Sequence, residues 1–549
     1  MAFFSRIKKI GILFMILLLI LMGRLVYLQG FTGKELAALG LMGRIHELKS
    51  SQLRGTIFDR NMQPLTGRQE VLSVLYFPAQ CDNKELAFNY LLPFSKISSN
   101  ALHEQIFSAK RPLRVIENIT QQEGEMIKSA APAGVVVSNE ELRYGLLASH
   151  LIGYVSFDDN HGVSGLEATY DDLLSDSGGK YLAALADARA QLIPGLQYRT
   201  IKLSGSKEAK SLQLTIDLVM QKKAEDVFDR YAKKGAVVIL NPYTGEVLSM
   251  VSRPNFDADH LNDYLTQANS PLLNRAISAY QPGSVFKLAI AAAALEAGIV
   301  TPEQKFYDRG YIDVDGTIFR GWDYKKGARE INFTQAVANS SNPVFIQVGL
   351  QMGMERLLPF LRKLGFGEVS SLQLFGEAAG NLPNAANSYI GETANLSIGQ
   401  GECETTPVQI ASLVGAIVNN GMKVEPILLK RVISDDDNSA TEINTKGHSK
   451  VVFSSDTARK LRTMMEEVTK TGTGQAAFVP QGGSAGKTGS AETGRIDAEG
   501  KSISHAWFAG FAPLDHPKYV AVVFVEEGMS GGDVAAPIFK ELIEAIEQE

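Results

Sequence analysis

From Ile10 to Met22 the chain is an almost unbroken apolar run, extended by Leu25, Val26, Tyr27 and Leu28. Those 19 residues are close to the ~20 that a helix needs to cross a bilayer. A chain that starts this way cannot fold as one water-soluble globule. Arg24 lies near the far end of the run, where its stem can reach the interface. A cleaved signal peptide is the competing reading, but no small-x-small cleavage site follows and the run is long for a signal. Arg6, Lys8 and Lys9 precede the run, which puts the N-terminus in the cytoplasm and everything after residue 28 outside.

At 549 residues there is room for two domains besides the anchor. A 45% hydrophobic and 21% charged composition is that of globular protein. The net charge of −6 argues against a nucleic-acid partner, which would want a basic face. Cys81 and Cys403 lie in different halves of the chain, forming neither a metal-ligand cluster nor a disulfide framework. In the bland reading Cys403, between Glu402 and Glu404, is a small buried hydrophobe.

Between Gly30 and Gly205 short alternating segments mix with helical ones, without a repeat. Arg54 to Asn61 reads as a short strand ended by a turn. The glycine-rich Gly162 to Glu167 lacks the strand-then-GxGxxG setting of a dinucleotide site. Asp59, Arg60 and Glu167 read best as an ion-paired, turn-forming framework. The polar stretch Lys202 to Glu208 marks a boundary, giving three parts: 1–28, 29–205 and 206–549.

Past that boundary the texture changes. Leu212 to Asp217 reads as a strand ending in a helix cap, with a helix through Phe228. Gly235 to Leu240 and Glu246 to Val251 form a hairpin around Asn241–Gly245. Strands before and after a helical block predict an α+β domain with an antiparallel sheet.

Within it, Pro282-Gly283 breaks regular structure ahead of an Ala- and Leu-rich helix. Ser284 is expected at the helix N-terminus with Lys287 three residues on, hydroxyl and amine on one face, close enough to pass a proton. Alone, such a pair is ordinary, since serine is a preferred N-cap. Two further stretches give it company. Ser340-Ser341-Asn342 ends a helical pattern, and a turn there can point Ser340 and Asn342 into one cleft. Lys487-Thr488-Gly489-Ser490 opens a predicted hairpin with His505 to Phe511, where Gly489 permits close backbone approach. Each tripeptide alone also reads as loop or edge strand.

Taken in order, Ser284-x-x-Lys287, Ser340-x-Asn342 and Lys487-Thr488-Gly489 resemble the signature of penicillin-binding proteins and serine β-lactamases. Asn274-Arg275, Arg253 to Asp257 and Ile398-Gly399-Gln400-Gly401 with Thr406-Pro407 are similar to the high-molecular-weight branch. Arg54-Gly55, Asp59-Arg60-Asn61 and Gly165-Leu166-Glu167 are similar to the pedestal of its class B members. The resemblance covers almost the whole chain. It implies a penicillin-binding transpeptidase domain, its antiparallel sheet flanked by helices, on an elongated α+β pedestal with one membrane span. Neither the C-terminal repeats of some relatives nor a glycosyltransferase domain is expected.

The resemblance also implies the chemistry. The substrate is the D-Ala-D-Ala end of a peptidoglycan stem peptide, and no metal or organic cofactor is required. Ser284 is the nucleophile, Lys287 its base, Ser340 the proton relay, and Lys487 the group that holds Ser340 and keeps the field positive. Asn342, Thr488, Gly489 and Ser490 line the substrate's path. β-Lactam antibiotics are expected to acylate Ser284, and a polytopic membrane glycosyltransferase is the implied partner.

Four rivals remain at this level. A β-lactamase needs a fast deacylating water, but no Glu-x-x-Leu-Asn stretch lies between Ser340 and Lys487. A β-lactam sensor would usually carry several spans. The last two are a D,D-carboxypeptidase and a non-catalytic cell-wall scaffold. Trp322 to Gly327 matches no role.

Overall fold

The computed structural model describes residues 2–30, 45–51, 54–145, 147–156, 161–175, 179–185, 198–203, 209–385, 389–434, 440–442, 447–497 and 499–548. The first element is a helix, α1 (Ala2–Gly30), and its stretch Gly11–Leu28 is long and apolar enough to cross a membrane. None of that stretch is buried against the rest of the chain.

The pedestal is built on a three-stranded antiparallel sheet. Thr66–Tyr76 is its centre, between Leu113–Ile119 and Val135–Gly145. The side-chain period of two splits the central strand. Val74 and Tyr76 pack beneath the helices Lys84–Leu91, Ser99–Ser108 and Gln121–Ala130, while Leu75 and Phe77 turn to Ala184 and Tyr198. These short helices are held at their starts by caps: Asn83, Ser98, and a reciprocal Thr120–Glu123 box.

The larger unit is a three-layer sandwich around a five-stranded antiparallel sheet: β1 (Gly235–Leu240), β2 (Val247–Arg253), β3 (Ala485–Ile496), β4 (Ser502–Ala512) and β5 (Tyr519–Val525). Their order is β2-β1-β5-β4-β3, with β3 at an edge. Every residue of β1 is buried, so its apolar run is continuous rather than alternating. Val237, Ile239 and Val523 face α2 (Leu218–Tyr231) and the C-terminal Ala536–Glu547 helix. Ala236, Val238, Val522 and Phe524 face the other layer, formed by α3 (Lys287–Glu296), α4 (Phe333–Ala338), α5 (Asn342–Met352), α6 (Pro407–Val418) and α7 (Ser455–Lys470). α3 lies at the centre of that layer and is buried from Lys287 to Leu295, and that buried part is apolar all round apart from one charge-bearing group, Lys287.

The expected hairpin is β1–β2, and the expected cap is Asp217, whose carboxylate accepts from Val219 N and Met220 N. The neighbouring strand, Lys210–Leu214, does not join the main sheet. It pairs with Leu429–Ser434 on one side and, in parallel, with Ile57–Phe58 on the other. The chain therefore crosses between its two units more than once. Ile57, Leu65, Leu151, Leu166 and Leu174 belong to the same core as α3, although they precede residue 205.

Charged residues fasten this junction. Arg54, nearly inaccessible, pairs with Glu167 at 2.8 Å and Asp171 at 2.6 Å. Asp59 Oδ1 accepts from Asn61 N and Gln63 N at 2.7 Å, and its Oδ2 accepts from Leu218 N at 3.1 Å. Arg60 reaches Glu246 at 3.3 Å.

Candidate active site

Three segments distant in sequence meet beside β3. Ser284 sits in a single turn of 3₁₀ helix, Gly283–Phe286, and the α-helix proper starts at Lys287. The helix was expected to begin at Ser284; instead a 3₁₀ turn separates Ser284 from Lys287, whose N–H donates to Ser284 O, and residues i and i+3 eclipse in such a turn. Gly283 is required here. Its φ is +55°, and a Cβ would stand 2.8 Å from Ser490 O. The turn is also clamped from the other side, with Gly283 N donating to Gly399 O at 2.9 Å and Tyr280 exchanging two backbone hydrogen bonds with Thr405. Trp507 Nε1 adds a bond to Gln281 O at 3.2 Å. Ser284 itself is half-buried, and Lys287 is completely enclosed.

The Lys287 amine donates to Ser340 O at 2.8 Å, Ser340 Oγ at 3.3 Å and Asn342 Oδ1 at 2.7 Å, and lies 5.3 Å from the centre of the Phe345 ring. Lys487, on β3, donates to the same Ser340 Oγ at 2.9 Å and to Thr488 O at 3.0 Å. One hydroxyl thus bridges two buried amines. Ser340 reaches this position through a left-handed backbone, φ +56°, unusual for a residue with a side chain.

Burial drives the Lys287 pKa well below the ordinary lysine range, and the positive charge of Lys487 pushes it the same way, against the opposing fields of Asp308 and Asp323. Burial lowers Lys487 to about 7. Burial and the Lys487 charge both push Lys287 toward its neutral form, beside a second amine whose own pKa is lowered to about 7.

Thr488 and Ser490 lie on the other pleat of β3 from Lys487. Thr488 Oγ1 is 2.6 Å from Thr473 Oγ1, and Ser490 Oγ accepts from Gly531 N at 3.2 Å. Gly489 does permit a close approach, but the approaching groups belong to this chain. A Cβ there would meet Pro282 O at 2.9 Å and Val285 at 3.0 Å, so the glycine lets the Ser284 turn pack flat on the strand.

Residues that sequence reading passed over complete the surroundings. Ser341 caps α5 by accepting from Val344 N and donates to buried Asp308 at 2.7 Å. Asn342 Nδ2 donates to Arg320 O at 3.0 Å, and Trp322 Nε1 donates to Asn339 O at 2.8 Å. The unassigned Trp322 stretch therefore braces the Ser340 turn. Thr473 also belongs here, since its N–H donates to Ala338 O at 3.0 Å, just ahead of that turn. The only signal in the sequence was the Thr471-Gly472-Thr473-Gly474 run. Cys403 is a free, buried thiol whose pKa burial raises far above its usual range. Among the described residues no cluster of His, Cys, Asp or Glu is arranged to hold a metal ion.

Comparison with known proteins gives two family matches. Residues 235–544 match the penicillin-binding protein transpeptidase domain, and residues 49–192 match the penicillin-binding protein dimerisation domain. Among curated relatives, stage V sporulation protein D of Bacillus subtilis is 31% identical over 95% of this chain and 82% of its own length. The peptidoglycan D,D-transpeptidase MrdA of Acinetobacter baumannii is 29% identical over 96% and 86%. Among solved structures, penicillin-binding protein 3 of Mycobacterium tuberculosis in complex with aztreonam superposes with TM-score 0.65 at 25% identity, covering 91% of this chain and 96% of that one. A chain from a peptidoglycan synthase complex, in a study of coordinated polymerisation and crosslinking, gives 0.69 at 27% identity, with 98% of each chain covered.

Proposed function

Because this chain belongs to the class B penicillin-binding proteins, we propose that it is a peptidoglycan D,D-transpeptidase working through a serine acyl-enzyme, anchored by α1 with its catalytic unit outside the cytoplasm. The observation that carries this reading is the convergence of Lys287 and Lys487 on Ser340 Oγ, one helical turn from Ser284.

In the reaction, neutral Lys287 takes the Ser284 proton as Oγ attacks the penultimate D-Ala carbonyl. The oxyanion is met by the backbone N–H groups of Ser284 and Ser490; one such donor is typically worth ~3 kcal/mol. Ser340 then protonates the leaving nitrogen. Its Oγ lone pairs are engaged by the two lysines, so its own proton is free to be given, and Lys287, now charged, restores it. The C–N bond to the terminal D-Ala breaks, leaving an ester on Ser284. An amine from a neighbouring stem attacks that ester, and the same relay runs backwards.

Asn342 orients the donor peptide amide, and Thr488 and Ser490 receive the terminal carboxylate beside the Lys487 charge. Arg6, Lys8 and Lys9, ahead of the apolar stretch of α1, support a cytoplasmic N-terminus. The likeness to a chain of a peptidoglycan synthase complex supports a membrane glycosyltransferase as partner. The domain assignment is an anchor to residue 28, a pedestal to 205 and a transpeptidase unit from 206.

The test is mass spectrometry of the full-length protein after penicillin. A long-lived adduct on the Ser284 peptide, absent from Ser284→Ala, is the expected result. An unmodified Ser284, or an adduct that vanishes as the drug is hydrolysed, overturns it.

A further inference from the structure

Three consecutive residues at the heart of the site point in two directions. Ser340 and Asn342 face Lys287, whereas Ser341 between them points away and donates to Asp308 Oδ2 at 2.7 Å. Asp308 closes the strand Lys305–Asp308, which is paired with Arg329–Asn332, and is almost fully buried. Its other oxygen accepts from Gly310 N at 2.8 Å, fixing the carboxylate in place. The nearest cation, Arg329, is 3.9 Å away and is itself engaged by Asp323, so much of the Asp308 charge remains available to its surroundings.

That arrangement has two consequences for the Ser340 turn. A left-handed serine is costly unless neighbouring contacts over-determine it. The Ser341 hydroxyl supplies such contacts, to Asp308 and to Val344 N at the start of α5, so the chain entering the helix can take no other path. A buried carboxylate one residue removed from two buried amines also sets the balance of charge in which they titrate.

We propose that Asp308 is a positioning residue for acylation: through Ser341 it holds the Ser340–Asn342 turn in the shape that aims Ser340 Oγ and Asn342 Oδ1 at Lys287, and its negative charge counters that of Lys487. This rests on the reading of Ser284 as the acylated nucleophile. The charged groups whose fields bear on Lys287 are Lys487, Asp308 and Asp323, with Arg329 lying against both carboxylates. Asp308 favours the protonated form of Lys287, so removing its charge lets Lys287 lose its proton at lower pH.

The experiment measures the rate of acylation of the full-length protein by a fluorescent penicillin across the acid and neutral pH range, for wild type, Asp308→Asn and Ser341→Ala. Ser341→Ala is expected to react ~10-fold more slowly at every pH, the size of a lost hydrogen bond to a charged group, with its acid limb unmoved. Asp308→Asn is expected to shift the acid limb to lower pH, which a merely structural carboxylate would not do. A wild-type acid limb in folded Asp308→Asn overturns the proposal. Should that variant fail to fold, a wild-type rate in Ser341→Ala overturns it. A wild-type protein that takes no label on Ser284 instead sinks the reading of the site itself.

Discussion

Two of the places where this molecule buries charge-bearing side chains do so in opposite ways. At the pedestal junction Arg54 is enclosed with carboxylates on two sides, Glu167 at 2.8 Å and Asp171 at 2.6 Å. In the active site Lys287 and Lys487 are equally enclosed, yet their hydrogen-bond partners are neutral oxygens and they share one of them. Paired burial keeps both charges and fixes a shape. Unpaired burial expels a proton and makes a base. A buried cation facing a carboxylate is framework; a buried cation facing a hydroxyl and a second cation is equipment for proton transfer.

The largest effect expected from that contrast comes from Lys287→Met, which keeps the stem and removes the amine. Acylation of Ser284 should fall by ~10²–10⁴-fold, the range for a positioned proton-transfer group. Stability should change by no more than about 1 kcal/mol, because losing an uncompensated buried amine offsets the acceptors left behind at Ser340 and Asn342. Fluorescent-penicillin kinetics alongside thermal unfolding measure both. A variant that unfolds readily but, while folded, reacts at the wild-type rate would erase the distinction.

Glu167→Ala should behave in reverse. It removes from Arg54, 2% exposed, an enclosed carboxylate partner while Asp171 and the residue 167 carbonyl stay in place, and breaking a buried pair costs about 3 kcal/mol or more. The melting temperature falls while acylation per folded molecule stays at the wild-type value. If acylation collapsed with stability intact, the junction would have to be counted as part of the chemistry.

Much of this was legible from sequence because local rules carried it. The apolar run of α1, the β1–β2 hairpin, the Asp217 cap and the strand order of β3 and β4 follow from period, composition and turn residues. Framework and chemistry were also separable, since Asp59, Arg60 and Glu167 read as ion-paired and do lie in a pinned turn and paired charges. The illegible parts are non-local. Nothing near Leu212 says that its strand pairs with Ile57–Phe58, some 150 residues earlier, rather than with β1. Nothing near Asp308 marks it as the partner of Ser341, because the contact depends on how the paired strands Lys305–Asp308 and Arg329–Asn332 lie against the start of α5. Gly489 was read correctly as a point of close approach, but the approaching partner was Pro282 and Val285. A glycine announces room and does not say who fills it.

The last expected effect is a pH dependence of stability above neutrality, produced by the two buried amines. Lys287 and Lys487 both have folded pKa values below the ordinary lysine value of 10.5, Lys487 at about 7. Above its folded pKa and below 10.5 each group binds a proton in the unfolded chain that it does not bind in the folded one, and stability rises with pH at up to about 1.4 kcal/mol per unit for each. Below pH 7 Lys487 is protonated in both states, so its share of the slope disappears. Glu526 works in a separate window: although burial opposes it, pairing with Arg275 holds its pKa below the usual carboxylate value of 4.5, so its contribution is lost only in acid. Cys403, with a raised pKa, opposes the trend only above its ordinary value of 9.0. Thermal unfolding between neutrality and that point should therefore show a midpoint that climbs with pH in wild type, climbs less steeply in Lys487→Met, and keeps its wild-type slope in Glu167→Ala. A midpoint that does not climb in any of the three would mean that the two amines hold ordinary pKa values in the folded protein, and that both buried regions are framework.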